Sequence, residues 1–152
     1  MKYLLFTFAF TCFSSLCAQR NFDNVTITSE KVADNIYMLV GAGGNIGVLT
    51  GDDGTLIIDT QFAPLSDKIK TAISDLSTSP INYVINSHWH GDHTGGNANF
   101  GKEGAVIVAH ENVRKRLSSE NVRPFGRTTP AVDKAAWPQL TFNDKMNVHY
   151  NG

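Results

Sequence analysis

Four potential metal ligands lie within six residues, His88 to His93, which read His-Trp-His-Gly-Asp-His. Imidazole nitrogen and carboxylate oxygen together suit zinc and its first-row neighbours, whereas magnesium and calcium prefer oxygen throughout. A strongly apolar run precedes the motif, and an extended chain leaving such a strand would aim His88, His90 and Asp92 the same way. Gly91 permits a sharp turn that brings His93 back to the same point. One ion cannot easily take all four groups, so we expect two adjacent ions, or one ion with outer supporting groups.

The string H-x-H-x-D-H, followed by Thr94-Gly95-Gly96-Asn97, resembles the signature of the metallo-beta-lactamase superfamily. Further upstream, Ile57-Ile58-Asp59-Thr60 resembles the first motif of that family, a strand ending in an aspartate that supports the metal loop. The resemblance therefore covers two separate stretches that the fold would have to bring together.

This resemblance implies a role for each residue. His88 and His90 would bind a first zinc ion, Asp92 and His93 would bind a second, and Asp59 would support them from outside the coordination shell. Asp92 would also be the catalytic residue, orienting a metal-bound hydroxide that attacks an ester, thioester, lactone or lactam carbonyl. His93 resembles the all-histidine subclass of the beta-lactamases as well as the thioesterase and lactonase-like members, so a beta-lactam is one substrate among several.

The fold implied by the resemblance is α/β: the metallo-beta-lactamase-like four-layer αββα sandwich, of which this chain covers the first half and the start of the second. Residues 19–152 are then an incomplete domain, truncated at the C-terminus, because the remaining ligands of the family lie beyond Gly152. An Asn151-Gly152 pair after the alternating stretch 146–150 also predicts a hairpin turn whose returning strand is missing. Two functions stay open: a zinc-dependent hydrolase, and a non-catalytic fragment or metal-binding module lacking the remaining ligands.

The N-terminal residues 1–18 have the three parts of a secretory signal: Lys2, an apolar run, and small residues before Ala18. The run is too short to span a membrane. We expect cleavage after Ala18 and export to the periplasm or the medium. Lipid attachment at Cys17 is the less favoured alternative, because Leu16 before it is bulky. Since Cys12 and Cys17 both lie in this segment, the exported protein would contain no thiol and no disulfide.

Composition restricts the partners. The formal net charge is −1, with 41% hydrophobic and 18% charged residues. These values fit a soluble globular domain and give no general attraction to nucleic acid or to an anionic membrane. The expected partner is a small-molecule substrate. One sheet without its covering layer would expose an apolar face, so we also expect the 152-residue chain to self-associate.

The periodicity of the chain predicts an antiparallel meander, then a mixed α/β segment. Short apolar runs separated by turn residues predict strands, an apolar repeat at helical spacing predicts a helix over residues 65–76, and 121–139 is expected to be an irregular loop. The glycine run 41–44 is read as a hairpin turn rather than a phosphate cradle, since it lacks the lysine and hydroxyl of a P-loop. Strands are expected at 25–28, 36–40, 46–50, 56–59, 81–86, 105–109, 140–142 and 146–150, with a second helix at 111–119.

Two further histidines stand alone in the sequence. His110 lies at a predicted strand-to-helix junction and is read as a cap or a satisfied polar group. His149 lies on the predicted strand 146–150 and is read as an ordinary strand residue. Neither has a second ligand at metal spacing, so neither is assigned to a metal site.

Overall fold

The structure is a computed structural model that describes residues 21–122, 126 and 128–152. The predicted signal segment, residues 1–18, lies outside the described residues, and so do Cys12 and Cys17. Export and the choice of cleavage site therefore stay predictions. Among the residues described, no helix is both long enough and apolar enough to cross a bilayer.

A mixed seven-stranded sheet dominates the described part of the chain, with the order β1-β2-β3-β4-β5-β6-β9. The first four strands are antiparallel neighbours, and the pairs β4-β5, β5-β6 and β6-β9 are parallel. A separate antiparallel pair is formed by β7 and β8. The strands are β1 (Thr28–Ala33), β2 (Ile36–Val40), β3 (Ile46–Leu49), β4 (Thr55–Ile58), β5 (Ile81–Ile85), β6 (Val106–His110), β7 (Asn121–Val122), β8 (Thr128–Thr129) and β9 (Leu140–Phe142).

Helices α1, α3 and α4 pack on one face of this sheet. Ile69 and Ile73 of α1 and Phe100 of α3 are buried against a core that includes Leu39 and Ile57. A smaller cluster places Val113 and Leu117 of α4 against Ala109 of β6. The helices are α1 (Ser66–Ser74), α2 (Gly91–Thr94), α3 (Asn97–Lys102) and α4 (Glu111–Ser118), with 3-10 turns at Ala63–Leu65 and Lys134–Ala136.

The change from antiparallel to parallel pairing decides where the candidate site lies. Short turns join β1 to β4 as a meander, whereas α1 carries the chain back across the sheet so that β5 runs parallel to β4. The two strands therefore end side by side: Ile58 pairs with Ile85, and the Asp59 backbone N–H donates to the Ile85 carbonyl at 2.9 Å. Both sequence motifs follow directly from these neighbouring strand ends, where sites commonly form in α/β sheets.

The opposite face of the sheet carries a row of apolar side chains. The registers of the parallel strands align Ile58, Ile85, Val108 and Leu140 across four strands on this face. Ile58 is 44% exposed and Leu140 is 50% exposed, whereas Val108 between them is 2% exposed. Apolar side chains thus reach solvent at both ends of this row, and the expected self-association stays a prediction.

The first predicted strand is wrong in position: the strand begins at Thr28 and runs to Ala33, and 25–27 are not a strand. Lys68 of α1 binds the chain at the start of this stretch. Its ammonium group donates to the carbonyls of Phe22, Asp23 and Val25 at 2.7–3.1 Å. The Val25 carbonyl is thus bonded to a side chain instead of a neighbouring strand, and Val25 packs against the core.

The last predicted strand is also wrong, because residues 146–150 form no ladder. Tyr150 and Asn151 bond to the turn between β3 and β4 instead. The Tyr150 hydroxyl donates to the Asp53 carbonyl at 2.6 Å, and Asn151 exchanges bonds with Asp53 at 2.7 and 2.9 Å. Asn151 and Gly152 have positive φ angles of 56° and 82°, which is the conformation that a two-residue Asn-Gly turn requires.

Most remaining expectations are confirmed to within a residue or two. Strands β2 to β6 and β9, helices α1 and α4, and the hairpin reading of the 41–44 turn agree with the structure. The segment 121–139 was expected to be irregular, and it contains the β7-β8 pair and the 3-10 turn Lys134–Ala136. Short ladders of two residues leave no periodicity for a sequence pattern to reveal.

Candidate metal centre

Asp59 is the first residue after β4, and its backbone is in the left-handed region with a φ of 68°. Such a conformation is unfavourable for a residue with a Cβ and is found mainly where the surroundings enforce it, often at functional sites. The residue is 4% exposed. The turn directs the Asp59 carboxylate to the end of β5, where the histidine motif begins.

His88 and His90 form the first pair of candidate ligands. His88 Nε2 and His90 Nδ1 are 3.1 Å apart, with donor and acceptor roles that depend on the tautomers. Two imidazole nitrogens bound to one tetrahedral zinc ion are about 3.3 Å apart, given zinc–nitrogen distances near 2.0–2.1 Å. These two nitrogens are therefore close enough together to share one ion.

Asp92 and His93 form the second pair. Helix α2 begins at Gly91, so these two residues lie in its first turns, and His93 Nε2 lies 3.6 Å from Asp92 Oδ2. The other ring nitrogen, His93 Nδ1, lies 2.8 Å from Asp59 Oδ2. A carboxylate on one imidazole nitrogen fixes the ring orientation and directs the opposite nitrogen to a metal.

Ser87 connects the two pairs and was not singled out by the sequence. Its backbone N–H donates to Asp59 Oδ1 at 2.8 Å and its hydroxyl donates to Asp59 Oδ2 at 2.6 Å. The same hydroxyl lies 3.0 Å from His88 Nδ1. Asp59 thus contacts the His93 ring of the second pair, and Ser87 contacts the His88 ring of the first pair. A hydroxyl residue directly before the first histidine was a signal that could have been used.

The glycine turn between β2 and β3 forms one wall of the site. Gly43 has a φ of 88°, which favours glycine, and a Cβ there would lie 2.8 Å from Asp92 Cβ. A Cβ on Gly44 would overlap the His93 ring. Gln61, which is fully buried, donates from Nε2 to the Gly44 carbonyl at 2.6 Å and so anchors the turn to the first motif. The sequence predicted the turn but not its place against the ligands.

Two buried asparagine side chains, Asn86 and Asn97, form hydrogen bonds beside the H-x-H-x-D-H motif. Asn86, at the end of β5, and Asn97, at the start of α3, exchange side-chain hydrogen bonds of 3.0 and 2.7 Å. Thr60 donates to Asn97 Oδ1 at 2.9 Å, and its N–H and hydroxyl donate to the His93 carbonyl at 2.8 and 3.1 Å. This network fixes the backbone at His93, and all three polar side chains belong to buried residues.

The donor set suits zinc, and the structure presents it as two pairs. Within residues 21–122, 126 and 128–152, no three or more His, Cys, Asp or Glu side chains are grouped in a way that could hold a metal ion. The arrangement instead offers two nitrogens from His88 and His90, and a nitrogen and an oxygen from His93 and Asp92. Each pair could supply part of the coordination shell of one ion, and the expectation of two adjacent ions stays a prediction.

The two isolated histidines lie away from these pairs. His110 caps α4, since its Nδ1 accepts from the Asn112 N–H at 3.0 Å and its Nε2 lies 3.0 Å from the Asn143 carbonyl oxygen. The reading of His110 as a cap is confirmed. His149 is exposed and lies outside any strand, so its reading as a strand residue is wrong.

The sequence of this chain matches a known protein family. The profile of the metallo-beta-lactamase superfamily matches residues 39–142, which contain both motifs. The chain belongs to this superfamily.

The chain is also similar to two curated proteins. The chain is 31% identical over 108 residues to the alpha subunit of a 2,4-dinitroanisole O-demethylase of Nocardioides sp. (strain JS1661), a match covering 68% of this chain and 33% of that protein. It is 29% identical over 101 residues to an alkyl/aryl-sulfatase of Saccharomyces cerevisiae, covering 60% of this chain and 16% of the sulfatase. The chain therefore spans a third or less of the length of these relatives.

Solved structures agree on the fold. A subclass B3 metallo-beta-lactamase of Bradyrhizobium japonicum superposes with a TM-score of 0.66 at 26% identity, covering 81% of this chain and 48% of that one. A class B3 di-zinc metallo-beta-lactamase from an Alaskan soil metagenome gives a TM-score of 0.71 at 20% identity, covering 83% and 49%. The mixed α/β fold of this chain corresponds to about half of each of these structures.

Proposed function

We propose that this chain carries the zinc-binding motif of an exported hydrolase of the metallo-beta-lactamase superfamily. The substrate would be a small molecule with an ester, thioester, lactone or lactam carbonyl. The observation that carries the proposal is the juxtaposition of the His88–His90 pair with the His93–Asp92 pair after β5, where the His88 and His93 ring centroids are 4.0 Å apart. Superfamily membership supports the hydrolase class, and the donor types support zinc.

The chain's own residues would divide the work. His88 Nε2 and His90 Nδ1 would hold one zinc ion, and His93 Nε2 and Asp92 the other. When bound, zinc lowers the pKa of water to about 7 and polarises a carbonyl group. Asp59 accepts from the His93 ring or binds its imidazolium form, and so keeps Nε2 directed at the site. Asp92, whose side chain is 40% exposed, can reach solvent and orient the attacking water.

A second function competes with hydrolysis. Among the described residues, the ligands form two pairs, and no group of three or more suits a metal ion. This observation supports a metal-binding module that takes up zinc without turning over a substrate. The two proposals agree on the metal and differ on catalysis.

The deciding experiment is a hydrolysis screen on the purified protein loaded with zinc. The panel would contain a cephalosporin, a homoserine lactone, an aryl ester and an acyl thioester. Turnover that stops with a chelator, returns with zinc and is lost in Asp92→Ala supports the hydrolase. Zinc binding without turnover of any of the four substrates would support the binding module and overturn the hydrolase.

Export needs a separate test. The expected mature N-terminus is Gln19, because cleavage is expected after Ala18. Intact mass analysis of the protein from the periplasm or medium of its host should give a chain beginning at Gln19. A cytoplasmic protein that retains residues 1–18 would contradict export, and a lipid on Cys17 would favour the lipoprotein alternative.

A further inference from the structure

A cavity lies next to the H-x-H-x-D-H motif, between helix α2 and helix α4. Its volume is about 280 Å³. An engineered cavity of about 150 Å³ binds one benzene ring, so this one has space for roughly two fused rings. Its walls come from α2 and the residue before His90, from α4, and from the segment after β8; they include Trp89, Gly95, Leu117, Pro130 and Val132.

Among the described residues that line the cavity, Arg116 is the one cation. The Arg116 guanidinium carbon lies 4.6 Å from the centroid of the Trp89 ring, which is within the range of a cation–π contact. Arg116 is exposed, and among the described residues its guanidinium forms no ion pair and donates no hydrogen bond. Its fork of donors is thus available to a planar anion lying against the indole.

The carboxylate that also lines this cavity is already engaged. Asp133 Oδ2 lies 2.5 Å from Lys102 Nζ, and Asp133 Oδ1 accepts from the Ala135 N–H at 2.9 Å. The hydrogen bond from Lys102 and the bond from Ala135 hold the pKa of Asp133 below its usual range. Asp133 therefore stays ionised and paired with Lys102, so among the described residues that line the cavity Arg116 is a cation without an ion pair.

We propose that this cavity binds an aromatic carboxylate of about two fused rings, with the rings on Trp89 and Leu117 and the carboxylate on Arg116. Trp89 stands between His88 and His90, so a ligand in the cavity contacts the same loop that carries the candidate metal ligands. As a substrate subsite the cavity rests on the proposed function, where it would accept the non-reacting aromatic acid part of the substrate. The binding itself requires no metal.

The test is a ¹⁵N NMR titration of the metal-stripped protein with 1-naphthoate, and in parallel with neutral 1-naphthalenemethanol. The Trp89 indole N–H is the reporter, assigned as the indole signal that remains in Trp137→Phe. We expect saturable shifts of this signal and of the Gly91 and Gly95 amides with naphthoate. Arg116→Gln should weaken naphthoate at least about tenfold, since charge-assisted bonds exceed about 1.4 kcal/mol, and leave the alcohol unchanged.

Arg114→Gln is the matched control, because Arg114 lies over Trp137, 5.9 Å from its ring centroid, and lines a different cleft. It should leave naphthoate affinity unchanged, and Arg116→Lys should restore part of it. Equal affinity for naphthoate and the alcohol, equal losses in the two glutamine variants, or no saturable shift at Trp89 would each overturn the proposal. The titration contains no metal, so naphthoate binding without hydrolysis rejects only the hydrolase, and hydrolysis without naphthoate binding rejects only the cavity.

Discussion

Asp59 Oδ2 and His93 Nδ1 lie 2.8 Å apart, although 34 residues separate them in the sequence. The contact joins the end of β4 to the first turn of α2, so the parallel pairing of β4 with β5 is what makes it possible. Asp59 is buried and Ser87 donates to both of its oxygens. The hydrogen bonds from Ser87 thus fix the carboxylate against the His93 ring.

Replacing Asp59 with asparagine should weaken zinc binding about 10- to 100-fold, which is the usual effect of removing an outer partner of a ligating histidine. The amide cannot stabilise the His93 ring as the carboxylate does, and the tautomer with Nε2 directed at the metal loses its preference. Competition with a chromophoric chelator measures the change. Asp75→Asn, on the exposed end of α1, is the control. Equal zinc affinity in the two variants would refute the role of Asp59.

Two glycine-to-alanine substitutions test whether the 41–44 turn packs directly against the His93 ring. A Cβ at Gly44 would overlap the His93 ring, whereas a Cβ at Gly91 meets nothing within 4 Å. Gly44→Ala should therefore displace His93 and weaken zinc binding, and Gly91→Ala should not. The ring resonances of His93 in the metal-free protein report the displacement directly. If both variants bind zinc as the parent does, the 41–44 turn is not a wall of the site.

The amide pair Asn86–Asn97 should contribute to stability rather than to metal affinity alone. Asn97→Ala removes the partner of the Asn86 side-chain carbonyl oxygen, whereas the Thr60 hydroxyl keeps the His93 carbonyl as an acceptor. One unpaired buried group costs about 1–3 kcal/mol, so we expect a loss of that size in the free energy of unfolding. Urea denaturation measures it, with exposed Asn112→Ala as the reference. A difference below about 0.5 kcal/mol between the two would show that the pair is dispensable.

Some residues of the candidate site could be predicted from the sequence, and others could not. The ligand types and their spacing predict a metal site at His88, His90, Asp92 and His93, because metal chemistry restricts residue type strongly, and the structure brings the three imidazole rings together. The Asn86–Asn97 pair was not predicted, since it depends on β5 and α3 meeting in space. The role of Ser87 was missed for the same reason, because its acceptor Asp59 is 28 residues away.

The wrong strands show the limits of periodicity. Residues 146–150 alternate as a strand should, yet Tyr150 and Asn151 bond to the turn at Asp53. Residues 25–27 are all β-branched, yet the Val25 carbonyl accepts from the Lys68 ammonium group instead of a neighbouring strand. In both places a tertiary contact outweighs the local β-strand pattern, and the neighbouring sequence does not predict that contact.

The apolar row across the sheet should drive association of the 152-residue chain. Ile58→Lys and Leu140→Lys place charges on this face, where the parent residues are 44% and 50% exposed. Light scattering after size exclusion should show the parent associated and the double variant shifted to monomer. Val122→Lys, at a residue that is 76% exposed on β7 outside the large sheet, is the control. A parent that is monomeric at all concentrations would contradict the expectation.

The central claim is that the H-x-H-x-D-H motif binds zinc, and calorimetric titration of the metal-free protein with zinc tests it most directly. The informative comparison is between His90→Ala, which removes one nitrogen of the first ligand pair, and His149→Ala, which removes an exposed histidine outside the site. We expect the His90 variant to lose more than about tenfold in zinc affinity, since even outer partners are worth that much, and the His149 variant to match the parent. Equal zinc affinity in all three proteins, or a loss confined to His149→Ala, would contradict the assignment of this motif as the metal centre.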